Sequence, residues 1–94
     1  MSHTILDYRI TAYIPSKVWA KVERSLPESY TVQTGRGMWR GEFEPVNVVT
    51  IYCPDYLGAY AQRNALTNSL LAAGETAALV CVEFVTAILT SKGE

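Results

Sequence analysis

Between Ile5 and Ile14 the side chains alternate in character. Leu6, Tyr8, Ile10, Ala12 and Ile14 fall on one side, and Ile5, Asp7, Arg9, Thr11 and Tyr13 on the other. A period of two belongs to an extended strand with one buried face. Such a strand cannot stand alone, because it needs partners along its edges and a layer against its apolar side. Whatever the rest of the chain forms has to supply both.

Pro15-Ser16 ends the strand, and Ser16 is placed to cap a helix from Lys17 to about Leu26. Val18, Trp19, Val22 and Leu26 form its apolar stripe, and Pro27 stops it. Lys17, Lys21 and Arg24 share another face, read as solvated. Tyr30 to Thr34 is a short strand. Val46 to Cys53 is apolar or β-branched on both sides apart from Asn47, the pattern of a central strand. Asp55 follows Pro54 as the N-cap of a long second helix, with Leu57, Ala61, Ala65 and Leu70 as its buried stripe, Tyr60 and Leu66 beside it, and Gly74 at C′. Ala78 to Leu89 is a last β run, and Ser91 to Glu94 a polar, frayed tail.

The order is β-α-β-β-α-β, and the expected fold class is α+β: a ferredoxin-like βαββαβ sandwich, an antiparallel sheet with two helices on one face. The 94 residues suffice for a single domain, 1–94. In the last run, Ala78, Val80, Val82, Phe84 and Ile88 line one side and Leu79, Cys81, Val85, Ala87 and Leu89 the other. A monomer would expose one of those faces as an apolar patch, so a closed homo-oligomer with sheets packed face to face is expected.

Between the second and third β segments lies Gly35-Arg36-Gly37-Met38-Trp39-Arg40-Gly41-Glu42-Phe43-Glu44, with three glycines in seven residues and the most mixed chemistry of the chain. A two-residue turn would suffice for a plain hairpin, so this connection is read as a ligand-facing loop. Trp39 is a platform for stacking a base or facing a cation, or else a plug that pins the loop. Arg36 and Arg40 are suited to clamp a carboxylate or phosphate, or are solvated charges. Glu42 and Glu44 share a face if extended, suited to a cation or forming a polar rim. Glu83 is a carboxylate inside an apolar run, either partnered and perturbed or at a wet edge. Tyr52, Tyr56 and Tyr60 cluster at the strand–helix junction and pack the core with hydroxyls outward.

Other chemistry is excluded by inventory. His3, in a mobile N-terminus, is the only histidine, so no Ser-His-Asp or Cys-His system can be assembled. No zinc ligand set or phosphate-binding glycine signature is present, and no metal or cofactor is expected. Cys53 and Cys81, each in an apolar run, read as buried reduced thiols. A net charge of −1 gives no support to nucleic acid as a partner. Neither a signal peptide nor a membrane span is expected, which makes the cytoplasm, a host cell's if phage-encoded, the default location.

Gly37-Met38-Trp39-Arg40-Gly41-Glu42-Phe43-Glu44, then Val48-Val49-Thr50-Ile51-Tyr52-Cys53, and the helix Leu57 to Ala73 leading into Ala78-Leu79-Val80-Cys81-Val82, resemble the bacteriophage S-adenosylmethionine lyases. The resemblance covers roughly the second half of the chain. It implies a ferredoxin-like core, a homotrimer that binds substrate between subunits, and cleavage of S-adenosylmethionine to methylthioadenosine and homoserine lactone. Trp39 would take the family's loop-aromatic place and Glu44 that of its functional glutamate, with Arg36, Arg40, Glu42, Glu83 and Tyr52 around the substrate. Two other functions suit the same residues. One is an oligomer without turnover that sequesters a nucleotide signal, with arginines on phosphate and Trp39 on the base. The other is a module that blocks a host defence protein and has no small-molecule pocket.

Overall fold

A computed structural model describes residues 1–92. The chain is α+β. Strand β1 (Ser2–Pro15) leads into a helical segment whose α-helical turn, α1, is Trp19–Val22, flanked by 3-10 turns at Ser16–Val18 and Glu23–Ser25. Strands β2 (Thr31–Trp39) and β3 (Glu42–Cys53), helix α2 (Tyr56–Ala72) and strand β4 (Val80–Ser91) follow. All four strands form one antiparallel sheet in the order β2-β3-β1-β4.

The alternation in β1 places Ile10, Ala12 and Ile14 in the core, each fully buried. Ile10 lies opposite Ile51 and Ala12 opposite Val49 in β3, and the same two residues lie opposite Val82 and Val80 in β4. Cross-strand neighbours share a face, so these side chains make one apolar floor. Val18, Val22, Ala59, Leu66 and Leu70 cover it from the helical layer. The opposite sheet face carries Arg9, Thr11 and Tyr13 with their register partners Tyr52, Thr50 and Val48, and no helix lies on it.

Several sequence expectations change. The glycine-rich stretch is a hairpin and not a loop: Gly35 to Trp39 continue β2, Glu42 to Pro45 begin β3, and only Arg40 and Gly41 turn. Their φ angles of 52° and 83° are both positive, as a primed two-residue turn requires. Gly41 meets that demand without strain. The first helix is broken, because the ten-odd residues between Pro15 and Pro27 leave little room and Leu26 before Pro27 is already extended, at φ −80° and ψ 148°. Ser16 makes no side-chain cap.

Asp55 does cap α2, its Oδ1 accepting from the Gly58 backbone N–H at 2.7 Å. At the far end Gly74, at φ 104°, and Glu75 donate backwards to Leu71 and Leu70, the double closure of a Schellman motif. Between these ends the helix is rotated from the expected stripe. Ala59, Leu66 and Leu70 are buried, whereas Leu57 is 78% exposed and Ala61 and Ala65 face outward.

The last strand is also not a simple alternation. Leu6 pairs with Ala87 but Tyr8 with Phe84, so β4 carries an extra residue there. This bulge reverses the parity: Val80, Val82 and Phe84 lie opposite Ala12, Ile10 and Tyr8 respectively, while Ile88 lies opposite Ile5. His3 belongs to β1, its Nδ1 3.0 Å from Thr90 Oγ1. Ser91 closes β4; Gly93 and Glu94, assigned above to a frayed tail, lie outside the described residues.

Candidate functional site

A groove of about 510 Å³ crosses the helix-free sheet face, within the size range of small-molecule sites. Gly35 and Gly37 of β2 and Val46 and Val48 of β3 form its floor, and Tyr13, Pro15 and Leu79 one side. Trp39 and Glu44 stand towards the hairpin, and residues 75–78, between α2 and β4, close the far wall. The absent glycine side chains are what leave the space: a Cβ at Gly37 would come within 3.4 Å of Val46 Cγ1. Bonding of the Tyr13 N–H to the Leu79 carbonyl at 3.3 Å ties the far wall to β1.

Strand register explains the grouping. Glu44 faces Gly37 and Glu42 faces Trp39, so Trp39 and Glu44 are diagonal neighbours on one face. Trp39 is 54% exposed and is not a plug, and its ring carries the Arg40 guanidinium over it at 5.7 Å. Glu42 shares that face but lies at the hairpin end, outside the groove.

Both arginines stand over aromatic rings, Arg36 over Phe43 and Arg40 over Trp39 of the groove itself. Arg36 contributes to the groove wall, yet its guanidinium carbon lies 4.7 Å from the centroid of the Phe43 ring, outside the groove. Arg40, at the turn, stands 5.7 Å from the Trp39 ring. The groove therefore presents two carboxylates, Glu44 and Glu75. Glu75 escaped the sequence reading, because nothing in the local pattern after Gly74 reports that the Schellman turn aims this segment at the sheet. Its side chain is 16% exposed and its Oε2 lies 3.7 Å from Lys17 Nζ.

Glu83 and Tyr52 belong to a different place. Glu83, Arg9 and Tyr52 occupy one row across β4, β1 and β3. The Arg9 guanidinium binds both Glu83 oxygens, at 3.1 to 3.3 Å, and chiefly this carboxylate, with Tyr52 adding, holds Arg9 above its ordinary value. Tyr52 also borders a smaller hollow with Leu6, Tyr30 and Leu89. Tyr56 and Tyr60 pack against each other at 4.5 Å and Tyr56 edges onto Tyr8 at 6.1 Å, on the helix side.

The cysteines are half-buried and free. Cys53 touches the core, whereas Cys81 pairs with Thr11 in register, on the helix-free side. Burial first, and Asp55 second, raise the Cys53 thiol above its ordinary 9.0. Among the described residues no three histidines, cysteines or carboxylates gather as a metal set, and no helix is long and apolar enough to cross a membrane.

No protein-family model and no curated protein matches the chain. Among solved structures, the de novo designed protein Foldit4 is similar at 12% identity and a TM-score of 0.41, over 97% of this chain and 100% of that one. A likeness of that size carries no argument about function.

Proposed function

We propose that the groove binds S-adenosylmethionine and that the protein cleaves it to methylthioadenosine and homoserine lactone. The observation that carries this reading is the meeting of Trp39 and Glu44 in one groove, where Glu75 faces Lys17 and neither carboxylate has an arginine partner. A sulfonium cation suits an aromatic face beside carboxylates, the kind of face on which the Arg40 cation already rests at Trp39, whereas a nucleotide signal would call for arginines not stacked on rings.

The chemistry needs no protein nucleophile. The substrate's carboxylate oxygen attacks its own γ-carbon, the C–O bond forms as the C–S bond breaks, and the electron pair of that bond returns to sulfur as a neutral thioether. No proton moves. The protein contributes position, holding the methionine arm folded for in-line attack, and partial exclusion of water, within which opposite charges annihilate more easily. Trp39 stacks the adenine or faces the sulfonium, and Glu44 stabilises the cationic region.

The ferredoxin-like assignment is part of the same proposal. Read from its other edge, the sheet order is β4-β1-β3-β2. Each βαβ unit then brackets one strand of the other, β3 between β1 and β2, and β1 between β3 and β4, which is what a split βαβ arrangement requires. The groove opens on the helix-free face, and a homotrimer packed there would close it with a neighbouring subunit.

Incubation with S-adenosylmethionine, with chromatography for methylthioadenosine and homoserine lactone, tests the reading. Both products should appear in equal amounts. Tight binding of nucleotides without either product would reject the lyase in favour of sequestration, and the absence of any small-molecule binding would favour a protein-blocking module.

A further inference from the structure

The far wall of the groove carries an ion pair whose placement is not required by the core. Glu75 follows the Schellman turn, with its backbone N–H held by the Leu70 carbonyl at 3.2 Å. Its carboxylate is largely covered, lines the groove, and has one charged neighbour. That neighbour, Lys17, lies two residues beyond the groove residue Pro15, outside the lining itself, and its side chain is 67% exposed. At 3.7 Å the contact is a loose ion pair and not a close hydrogen bond. A loose pair with one exposed partner contributes little to folding, yet it sets a positive group beside the carboxylate of a residue that lines the groove.

We propose that Glu75 and Lys17 recognise a zwitterionic α-amino acid head group, Glu75 accepting from the ammonium and Lys17 holding the carboxylate. The inference rests on the reading above for the nucleoside half of the ligand and adds the chemistry of the other half. Opposite charges arranged in complementary order exchange one ion pair for two, so neither protein group is left unpaired when ligand enters. A ligand lacking the head group leaves the Lys17–Glu75 pair as it is and gains nothing there. Lys17 and Glu75 are then specificity-determining residues, while Trp39 and Glu44 meet the nucleoside and the sulfonium. Because Lys17 is a flexible point charge, it orients the carboxylate with one oxygen left free for attack.

Two stable probes separate the halves. S-adenosylhomocysteine keeps the amino acid arm but has a neutral thioether, and methylthioadenosine lacks the arm. Calorimetric titration of the wild type should show at least tenfold tighter binding of S-adenosylhomocysteine. Glu75→Gln and Lys17→Gln should each erase most of that preference and leave methylthioadenosine affinity within about twofold. Lys17 is exposed enough that its variant tests the idea even if Glu75→Gln is poorly folded. A wild type that binds both probes equally, or a preference that survives in both variants, overturns the head-group assignment while leaving the nucleoside site standing. A wild type that binds neither probe nor S-adenosylmethionine overturns it together with the proposed function.

Discussion

Arg9 and Glu83 stand directly opposite each other in the β1–β4 register, with Arg9 Nη2 3.1 Å from one Glu83 oxygen and 3.2 Å from the other. The pair lies on the helix-free face, where each side chain retains a substantial share of its exposure, 37% for Arg9 and 49% for Glu83. A carboxylate inside an apolar run is thus accounted for by a cross-strand partner that is 74 residues away in sequence.

The pair is also a reporter for the proposed trimer. In a monomer, removing one partner of an exposed ion pair changes little. In an assembly packed through this face, Glu83→Gln leaves a covered guanidinium without its carboxylate, which is costly. We expect Glu83→Gln to reduce the mass measured by light scattering at micromolar concentration. An unchanged mass and melting temperature would show that this face stays in water. Arg9 itself adds no pH dependence near neutrality. Its folded value is raised above the ordinary arginine range, so its contribution is complete across the neutral range and is lost only in strong alkali.

The groove depends on two missing side chains. At Gly35 a Cβ would sit 4.0 Å from Val46 Cγ2, an ordinary contact, so Gly35→Leu should fold normally while filling the floor. Binding of S-adenosylmethionine or its products should weaken at least tenfold, read by calorimetry beside an unchanged circular dichroism spectrum. Full binding by this variant would place the ligand elsewhere.

Glu44→Gln preserves shape and removes charge. Turnover should fall at least tenfold, about 1.4 kcal/mol at the transition state, with a smaller change in KM, because interactions strengthened in the transition state act on the chemical step. Unchanged turnover would move the acidic role to Glu75, the other carboxylate in the groove.

Cys53 gives a pH-dependent expectation. Its thiol is raised by burial and by Asp55, so the folded state holds its proton to higher pH than the unfolded chain does. The associated stability is complete below about 9 and declines as pH rises through the folded value. Wild-type stability by urea titration should therefore drop more between pH 8 and 10 than that of Cys53→Ser, and equal drops would count against the assignment.

Helix α2 provides the packing test. Leu66→Ala removes a fully buried side chain and should cost about 2–5 kcal/mol. Leu57→Ala, at a residue 78% exposed, should leave the denaturation midpoint nearly unchanged. The reverse ranking would show that Leu57 is covered in solution, by another subunit.

The features legible in the amino-acid order are mostly local. The alternation of Ile10, Ala12 and Ile14 marked the buried face of β1, Asp55 and Gly74 marked the ends of α2, and the order of elements followed from their periodicities. These signals are written in neighbouring residues, because caps, turns and strand faces are set by the backbone within a few positions. The remaining features depend on how distant segments pack. Leu57 or Leu66 on the inner side of α2 depended on how closely the helix approaches the sheet, where Ala59 allows contact. The glycine-rich stretch could turn anywhere until pairing with Val46 and Glu44 extended β2 to Trp39. The bulge opposite Asp7 exchanged the faces of β4 through a single extra residue that no alternation announces. Trp39 and Glu44 were legible as candidates because they lie close in the chain. Glu75 and Lys17 were not, since a groove wall assembled from distant segments exists only after the sheet has closed.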